Sequence, residues 1–383
     1  MRRAIRKVAA SAMTLLPPAE HLDEIPRFLE DSLRDEDLVY ALHRGGSCQG
    51  HEPANGNLTP GCTIVICTYR RRESLARFLD SLPRHGGVPE AVVIVDASPD
   101  DETQRLISED ASLESRTGCV LYLRVGGRWK GLTRQRNFAV RWVQTDLLAF
   151  FDDDVVLLPG CLSEMQRVHR ALGAEVAGVG AITDNERPEP RRRRLWRVRR
   201  RLGIVATLEP GRYSRSGMST PWGALPSETA PLEGDWLPGC GMMWKTATVA
   251  ELGFNDAFEG YSLGEDVDFS LRARRKGKLV MAPAARLLHL QPKGGRLDGF
   301  RFGYDSIYNR YQIHRRGLSD RSWRDVVAFA YAWSVDTLML FRHLPFPQRA
   351  RSTLEQLRGR LHAARDLLRN KDAKGSAESQ EVH

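Results

Sequence analysis

Apolar and β-branched residues gather along this chain in short runs separated by amphipathic stretches. Thr63-Ile-Val-Ile-Cys67 is a continuous run of the kind found in strands buried on both faces. Leu75, Phe78, Leu79 and Leu82 then fall at i, i+3, i+4 and i+7, which predicts a helix ended by Pro83 and Gly86-Gly87. Ala91–Val95 predicts a second buried strand with Asp96 at its carboxyl end, and Ser98-Pro99-Asp100-Asp101 opens another helix. Cys119–Leu123 and Leu147–Phe151 predict strands on either side of a helix at Thr133–Thr145. A helix at Gly160–Leu172 and a strand at Val176–Ala181 follow. This alternation predicts an α/β fold with right-handed crossovers and a mainly parallel sheet flanked by helices.

Residues 183–233 lose this periodicity and are rich in Pro, Gly, Ser and Arg, which predicts a long loop, functional or disordered. Order resumes at Asp235, with helices at Thr246–Leu252 and Glu265–Lys276 and a strand at Leu279–Ala282 leading to His289. Residues 300–345 predict a helical region. Its stretch Val326–Phe341 is apolar except for Ser334, Asp336 and Thr337, and at 16 residues reads as a buried or interfacial helix. The chain therefore divides into an extension at 1–60 with one or two short helices, an α/β domain at 61–295, a helical region at 296–368 and a disordered polar tail at 369–383.

Composition narrows the class. The 383 residues are 42% hydrophobic and 27% charged, which excludes a wholly disordered or collagen-like chain. No apolar run reaches the roughly 20 residues of a span, which excludes a polytopic membrane protein. Eight arginines and no acid lie between Arg191 and Arg201; without them the net charge falls from +9 to +1. The basic character is thus local. With Leu195, Trp196, Val198 and Leu202 interspersed, this segment suits an anionic membrane surface, the alternative being a solvated mobile loop. Nucleic acid is disfavoured, because the rest of the chain shows no basic stripe or nucleic-acid module. The six cysteines include no Cys-x-x-Cys pair, and Cys67, Cys119 and Cys240 read as small core residues in a reducing compartment. Met13–Pro18 is too short and proline-broken for a secretory signal. The expected location is the cytoplasm, peripheral at the inner face of the membrane.

Phe150-Phe151-Asp152-Asp153-Asp154 carries the strongest chemistry. Three carboxylates at the end of a buried strand repel one another unless cations or donors compensate, and this is where open α/β sheets bind ligands. They suit a hard divalent cation, which takes one or two carboxylates plus substrate phosphates; a solvated acidic turn is the alternative. Gly264-Glu265-Asp266-Val267-Asp268-Phe269 opens a helix with acids. Capping explains part of that pattern, and a general base at Asp266 is the functional reading. His289 reads as a core histidine unless the fold brings it beside Asp154. Asp96 suits hydrogen bonds from a base or ribose, or a plain turn. Neither a dinucleotide fingerprint nor a Walker A loop occurs, which argues against a dehydrogenase or P-loop enzyme.

Six segments in order resemble the family 2 glycosyltransferases with a GT-A fold: Thr63–Arg70, Ile94–Asp96, Gly131–Asn137, Phe151–Val155, Trp236–Met243 and Gly264–Asp268. The resemblance covers residues 62–290. It implies a Rossmann-like GT-A sheet and inverting transfer of a sugar from a nucleotide-diphosphate sugar to an acceptor hydroxyl, carbohydrate or lipid-linked. It also implies a divalent cation, Mn2+ or Mg2+. By the same resemblance Thr68, Tyr69, Arg70 and Asp96 hold the nucleoside, and Arg136 and Asn137, with Arg134 as the alternative cation, lie on the donor side. Asp152 and Asp153 belong to the donor site, while Asp154 and His289 join the metal. Glu265 and Asp266 become the catalytic pair, with Asp266 as base, and Trp236, Gly239 and Gly241 fall on the acceptor side. The sequence departs from the family's usual Asp-Asn-x-Ser after the second strand, having Asp96-Ala97-Ser98. A nucleotidyltransferase-like enzyme on a related sheet and a non-catalytic sugar or nucleic-acid binding protein are the competing classes.

Overall fold

The computed structural model describes residues 37–45, 59–82, 89–186, 190–223, 225–226, 229–258, 262–290, 298–318 and 320–378. Ten strands form one sheet in the order β1-β4-β3-β2-β5-β9-β7-β10-β6, with β8 paired on β10. They are β1 (Leu38–Gly45), β2 (Thr59–Thr68), β3 (Ala91–Asp96), β4 (Cys119–Val125), β5 (Thr145–Asp152), β6 (Val155–Leu157), β7 (Val176–Thr183), β8 (Leu232–Gly234), β9 (Gly241–Lys245) and β10 (Lys278–His289). The helices are α1 (Arg72–Ser81), α2 (Glu102–Glu109), α3 (Leu132–Val140), α4 (Cys161–Leu172), α5 (Pro190–Arg201), α6 (Thr246–Leu252), α7 (Glu265–Ala273), α8 (Gly299–Gly317), α9 (Trp323–Leu338) and α10 (Pro347–Glu378), with single turns between some of them.

Strands β2, β3, β4 and β5 pair in parallel, as do β7 and β10. β9 lies antiparallel between β5 and β7 and joins the two parallel groups. Alternate residues of each central strand serve opposite faces. Ile64, Ile66, Ile94, Ala149 and Phe151 pack with Leu75, Phe78 and Leu79 of α1 and with Met165 and Val168 of α4. Val65, Val93, Val95, Leu148 and Phe150 pack with Phe138 and Ala139 of α3, Val249 of α6 and Phe269 of α7. Strands buried on both faces explain the continuous β-branched runs of the sequence.

Four expectations change. Residues 38–45 are an edge strand of the main sheet, antiparallel to β4, and not part of a separate extension. The arginine segment is a helix, α5, because arginine is a good helix former and Trp196 packs against the cluster of Ile204, Val205, Met218 and Ala332. The helix predicted to fade at Leu368 runs on to Glu378, since Lys, Ala and Glu also favour helix. Cys119 is buried but disulfide-bonded, and so is not the free core thiol expected. Short strands β6, β8 and β9 were not predicted. β9, Gly-Met-Met-Trp-Lys, has no β-branched residue to announce it. Residues 1–36 and the end of the tail at 379–383 lie outside the described residues. Among the described residues no helix is long and apolar enough to cross a membrane.

Candidate active site

Parallel strands β2, β3 and β5 end side by side, with Cys67 opposite Asp152 and Thr68 opposite Asp96. The chain then turns at Asp153-Asp154 and runs back as β6, antiparallel to the end of β10. In that register His289 stands opposite Val155, and the Leu290 amide donates to the Asp154 carbonyl at 2.8 Å. The topology therefore carries His289 to the acidic turn across more than a hundred residues of sequence. One ligand atom each from Asp152, Asp154 and His289 lie within 4.8 Å of one another. His289 Nε2 is 3.2 Å from Asp154 Oδ1, and its Nδ1 is 3.3 Å from Glu186 Oε1.

This donor set fits a hard or borderline divalent cation, Mn2+ or Mg2+. Asp154 Oδ1 is buried beside the His289 ring, and Glu186 on the far ring nitrogen is the usual orienter of a ligating imidazole. Burial opposes charge on His289. Contacts with Asp154, Cys240 and Glu186 outweigh it and hold the imidazole above its ordinary value. Burial also works against Asp154, yet His289 and Arg71 hold that carboxyl below the usual range.

Asp153 points elsewhere. Its Oδ2 accepts from Thr68 Oγ1 at 2.6 Å and its Oδ1 from Arg71 at 2.9 Å, while the same Arg71 nitrogen reaches Asp154 at 3.0 Å. Burial pushes Asp153 up to about 7 although Arg71 and Thr68 pull it down. Arg71 was not singled out from the sequence; its position one residue past Thr68-Tyr69-Arg70 was the available signal.

The turn after β2 is locked by a relay. Asp96 accepts from the Ser98 amide and from the Tyr122 hydroxyl, both at 2.8 Å, and Ser98 Oγ accepts from the Arg70 amide at 2.7 Å. Arg70 sits at φ 55°, a conformation costly for a residue with a side chain and common at binding sites. Tyr69 is 52% exposed beside it, and Arg70 lies over its ring at 5.5 Å. A cleft of about 900 Å3 opens here between Tyr69-Arg70-Arg71 and residues of α1 and α2. Asp96 itself is fully buried, so it organises this turn and presents no surface to a ligand. Gln135, also not singled out, donates to the carbonyls of Thr68 and Val95 and ties the ends of β2 and β3 together.

Arg136 is the hub of the opposite side. It is 1% exposed, donates to Glu265 Oε1 at 2.5 Å and to the Gly239 carbonyl at 3.0 Å, and lies 3.4 Å from Asp152. Phe150 and Phe254 both lie against its guanidinium, each ring centroid at 5.2 Å. Burial nevertheless pushes Glu265 up to about 8. A Cβ on Gly239 would meet Glu265 Oε1 at 2.6 Å, so glycine is required for this close approach. Asp266 Oδ2 accepts from the Gly239 amide at 3.0 Å and its Oδ1 from the Val267 amide at 2.8 Å. Burial raises Asp266 against those two donors.

Asp266 also lines a second pocket of about 460 Å3, together with Trp236, Gly264 and residues of α5, α8, α9 and α10. Two expected site residues lie apart from both clusters. Asn137 spends its amide on Phe254 and Asp256 and anchors that turn. Gly241 is buried in β9 opposite Phe151, where a Cβ would meet Leu287. Arg134 is half-buried on α3 and makes no hydrogen bond or ion pair among the described residues.

Residues 63–221 match the model of the family described as Glycosyl transferase family 2. That span is a family 2 glycosyltransferase domain. A mannosyltransferase from Pyrobaculum calidifontis, solved with GDP-Man and Mn2+, superposes with a TM-score of 0.51 at 15% identity, over 81% of this chain and 89% of its own. GalNAc-T7, solved with UDP, GalNAc and Mn2+, gives 0.49 at 15% identity, over 68% and 48%. Residues 1–349 of S. aureus TarS give 0.44 at 14%, over 75% and 73%. No curated protein sequence matches. The glycosyltransferase sheet, mixed but parallel at its centre and flanked by helices, is of the GT-A type. Its acidic turn and the start of α3 fall inside the matched span, whereas α7, β10 and the C-terminal helices lie beyond it.

Proposed function

We propose that this glycosyltransferase moves a sugar from a nucleotide-diphosphate sugar to an acceptor hydroxyl with inversion, in glycan, glycolipid or cell-surface polysaccharide synthesis. The observation that carries this reading is the position of Asp266. Its carboxylate is held by two backbone amides beside the Arg136–Glu265–Asp152 cluster, and it opens on the 460 Å3 pocket. A base fixed between the acidic turn and a separate pocket suits deprotonation of an acceptor hydroxyl. Displacement by that hydroxyl in one step, with no protein nucleophile, inverts the anomeric centre.

The remaining roles follow from place. Thr68, Tyr69 and Arg70 form the donor-side turn, which Asp96 supports from within. Arg134 is the available cation at the start of α3, while Arg136 holds Glu265 and Asp152 in position. Asp153 and Arg71 set the orientation of Asp154. Asp152, Asp154 and His289 would hold Mn2+ or Mg2+, which when bound neutralises charge on a leaving diphosphate. Thermal-shift screening of nucleotide sugars with and without Mn2+ tests the donor reading: one should stabilise the chain only with the metal. Stabilisation by none, or equally in chelator, contradicts it. Proton NMR of the first product tests inversion, and a retained anomeric configuration removes the single-displacement scheme.

A peripheral membrane position is part of this reading. Trp323, Val327, Tyr331 and Leu338 line one face of α9 and are exposed, and Phe341 and Phe346 continue the stripe. Tyr331 donates to the Leu202 carbonyl just past α5, which puts exposed Arg194, Arg197, Arg200 and Arg201 nearby. An apolar stripe beside a basic helix suits an anionic bilayer surface. Co-sedimentation with phosphatidylglycerol vesicles should be lost on Trp323→Ser with Leu338→Ser; equal binding by that variant rejects the placement.

A further inference from the structure

The pocket beside Asp266 is walled by four arginines, Arg199, Arg310, Arg342 and Arg360. Among the described residues a single carboxylate, Asp336 of α9, faces three of them. Arg199 and Arg360 take its two oxygens, the latter at 3.1 Å. Arg310 stands third, with Nη1 3.9 Å from Oδ2, too far for a hydrogen bond. That nitrogen is buried and donates to nothing among the described residues, and the same holds for Nε of Arg199 and of Arg360. The other acids of the wall are engaged: Asp305 with Arg301, and Asp266 with the amides of Gly239 and Val267. Buried charges are ordinarily paired, so three guanidiniums on one carboxylate call for a second anion. Burial lowers the affinity of Arg310 and Arg360 for their protons, and repulsion from Arg199 adds to it.

We propose that this pocket binds a phosphate group carried by the acceptor, whose hydroxyl then faces Asp266. The inference rests on the reading of Asp266 as the base. Phosphate is favoured over carboxylate by geometry. Guanidiniums arriving from α5, α8 and α10 approach from different directions, and a phosphate offers oxygens on several sides where a carboxylate has two in one plane. A volume of about 460 Å3 suits a small phosphorylated group.

The test is calorimetric titration of inorganic phosphate into the full chain in EDTA, where the metal-free acids at 152–154 repel the probe. Binding is expected to weaken about tenfold in Arg310→Met and severalfold in Arg342→Gln. Arg342 is exposed, so its variant keeps the test independent of folding. Absence of phosphate binding in the unaltered chain, equal affinity in all three proteins, or acetate binding as well as phosphate would overturn the proposal. A second arm identifies the source. Arginine-dependent co-sedimentation with phosphatidic acid vesicles assigns a lipid-borne phosphate, and phosphate binding without it assigns a soluble one. The titration measures no turnover, so its failure is distinguishable from failure of the Asp266 assignment, which shows in transfer.

Discussion

The acidic side of the site and the arginine pocket are assembled by different means. Asp152, Asp153 and Asp154 are neighbours in sequence, delivered together by the end of β5, and the pairing of β6 with β10 brings them His289. Arg199, Arg310, Asp336 and Arg360 come from four helices that meet only when the C-terminal region docks. On the sheet side, backbone register fixes the chemistry and small shifts are resisted by a core on both faces. On the helical side, the arrangement depends on close helix contacts, such as Gly359 against the Phe300 carbonyl next to Arg360. A strand-end site is tied to the core of the fold, whereas a helix-borne site can change its ligand with few substitutions. Such a division would suit a donor site on the sheet and an acceptor site on the helices.

Substitutions at the junction should have the largest effect. Asp266→Asn is expected to lower transfer by about 10²- to 10⁴-fold while calorimetry shows unchanged donor binding. Full turnover would remove Asp266 from the mechanism and dissolve the division between the two sides.

Next comes the buried hub. Arg136→Met takes the buried donor from Glu265, 6% exposed, and from the Gly239 carbonyl and should cost about 2–4 kcal/mol in denaturant unfolding. Adding Glu265→Gln should recover part of that loss. A loss below about 1 kcal/mol would show that Arg136 is not the clamp described.

A smaller change is expected from Glu186→Gln, which removes the carboxylate behind His289. Mn2+ affinity should fall about tenfold, as for other carboxylate partners of ligating histidines. Unchanged affinity would place the metal elsewhere.

The same carboxyl should also leave a mark on the pH dependence of stability. Burial raises Glu265 from 4.5 to about 8. Between those values the folded state keeps a proton that the unfolded chain releases, so this group lowers stability as pH rises through the window. Glu265→Gln should flatten that component of the slope, and identical slopes would contradict it.

Much of the sheet was legible in the sequence because strands buried on both faces announce themselves as β-branched runs. Asp152, Asp154, His289 and Asp266 stand out in the sequence for a related reason, since each lies at or just past the end of a regular element. Arg71, Gln135 and Glu186 do not, because their roles are contacts with residues far away in sequence. The arginine segment was misread as loop because its polar residues carry no periodicity, and its meaning lies in what packs on it. Asn137 and Gly241 were placed by motif, but their surroundings give them anchoring and packing duties.

Which bond of the donor is broken separates glycosyl transfer from nucleotidyl transfer. Incubation with the stabilising nucleotide sugar and Mn2+, followed by chromatography of the nucleotide products, reads this directly. Release of nucleoside diphosphate in step with sugar transferred or hydrolysed is the predicted result. Release of pyrophosphate, or recovery of intact nucleotide sugar at every metal and acceptor concentration, would contradict it.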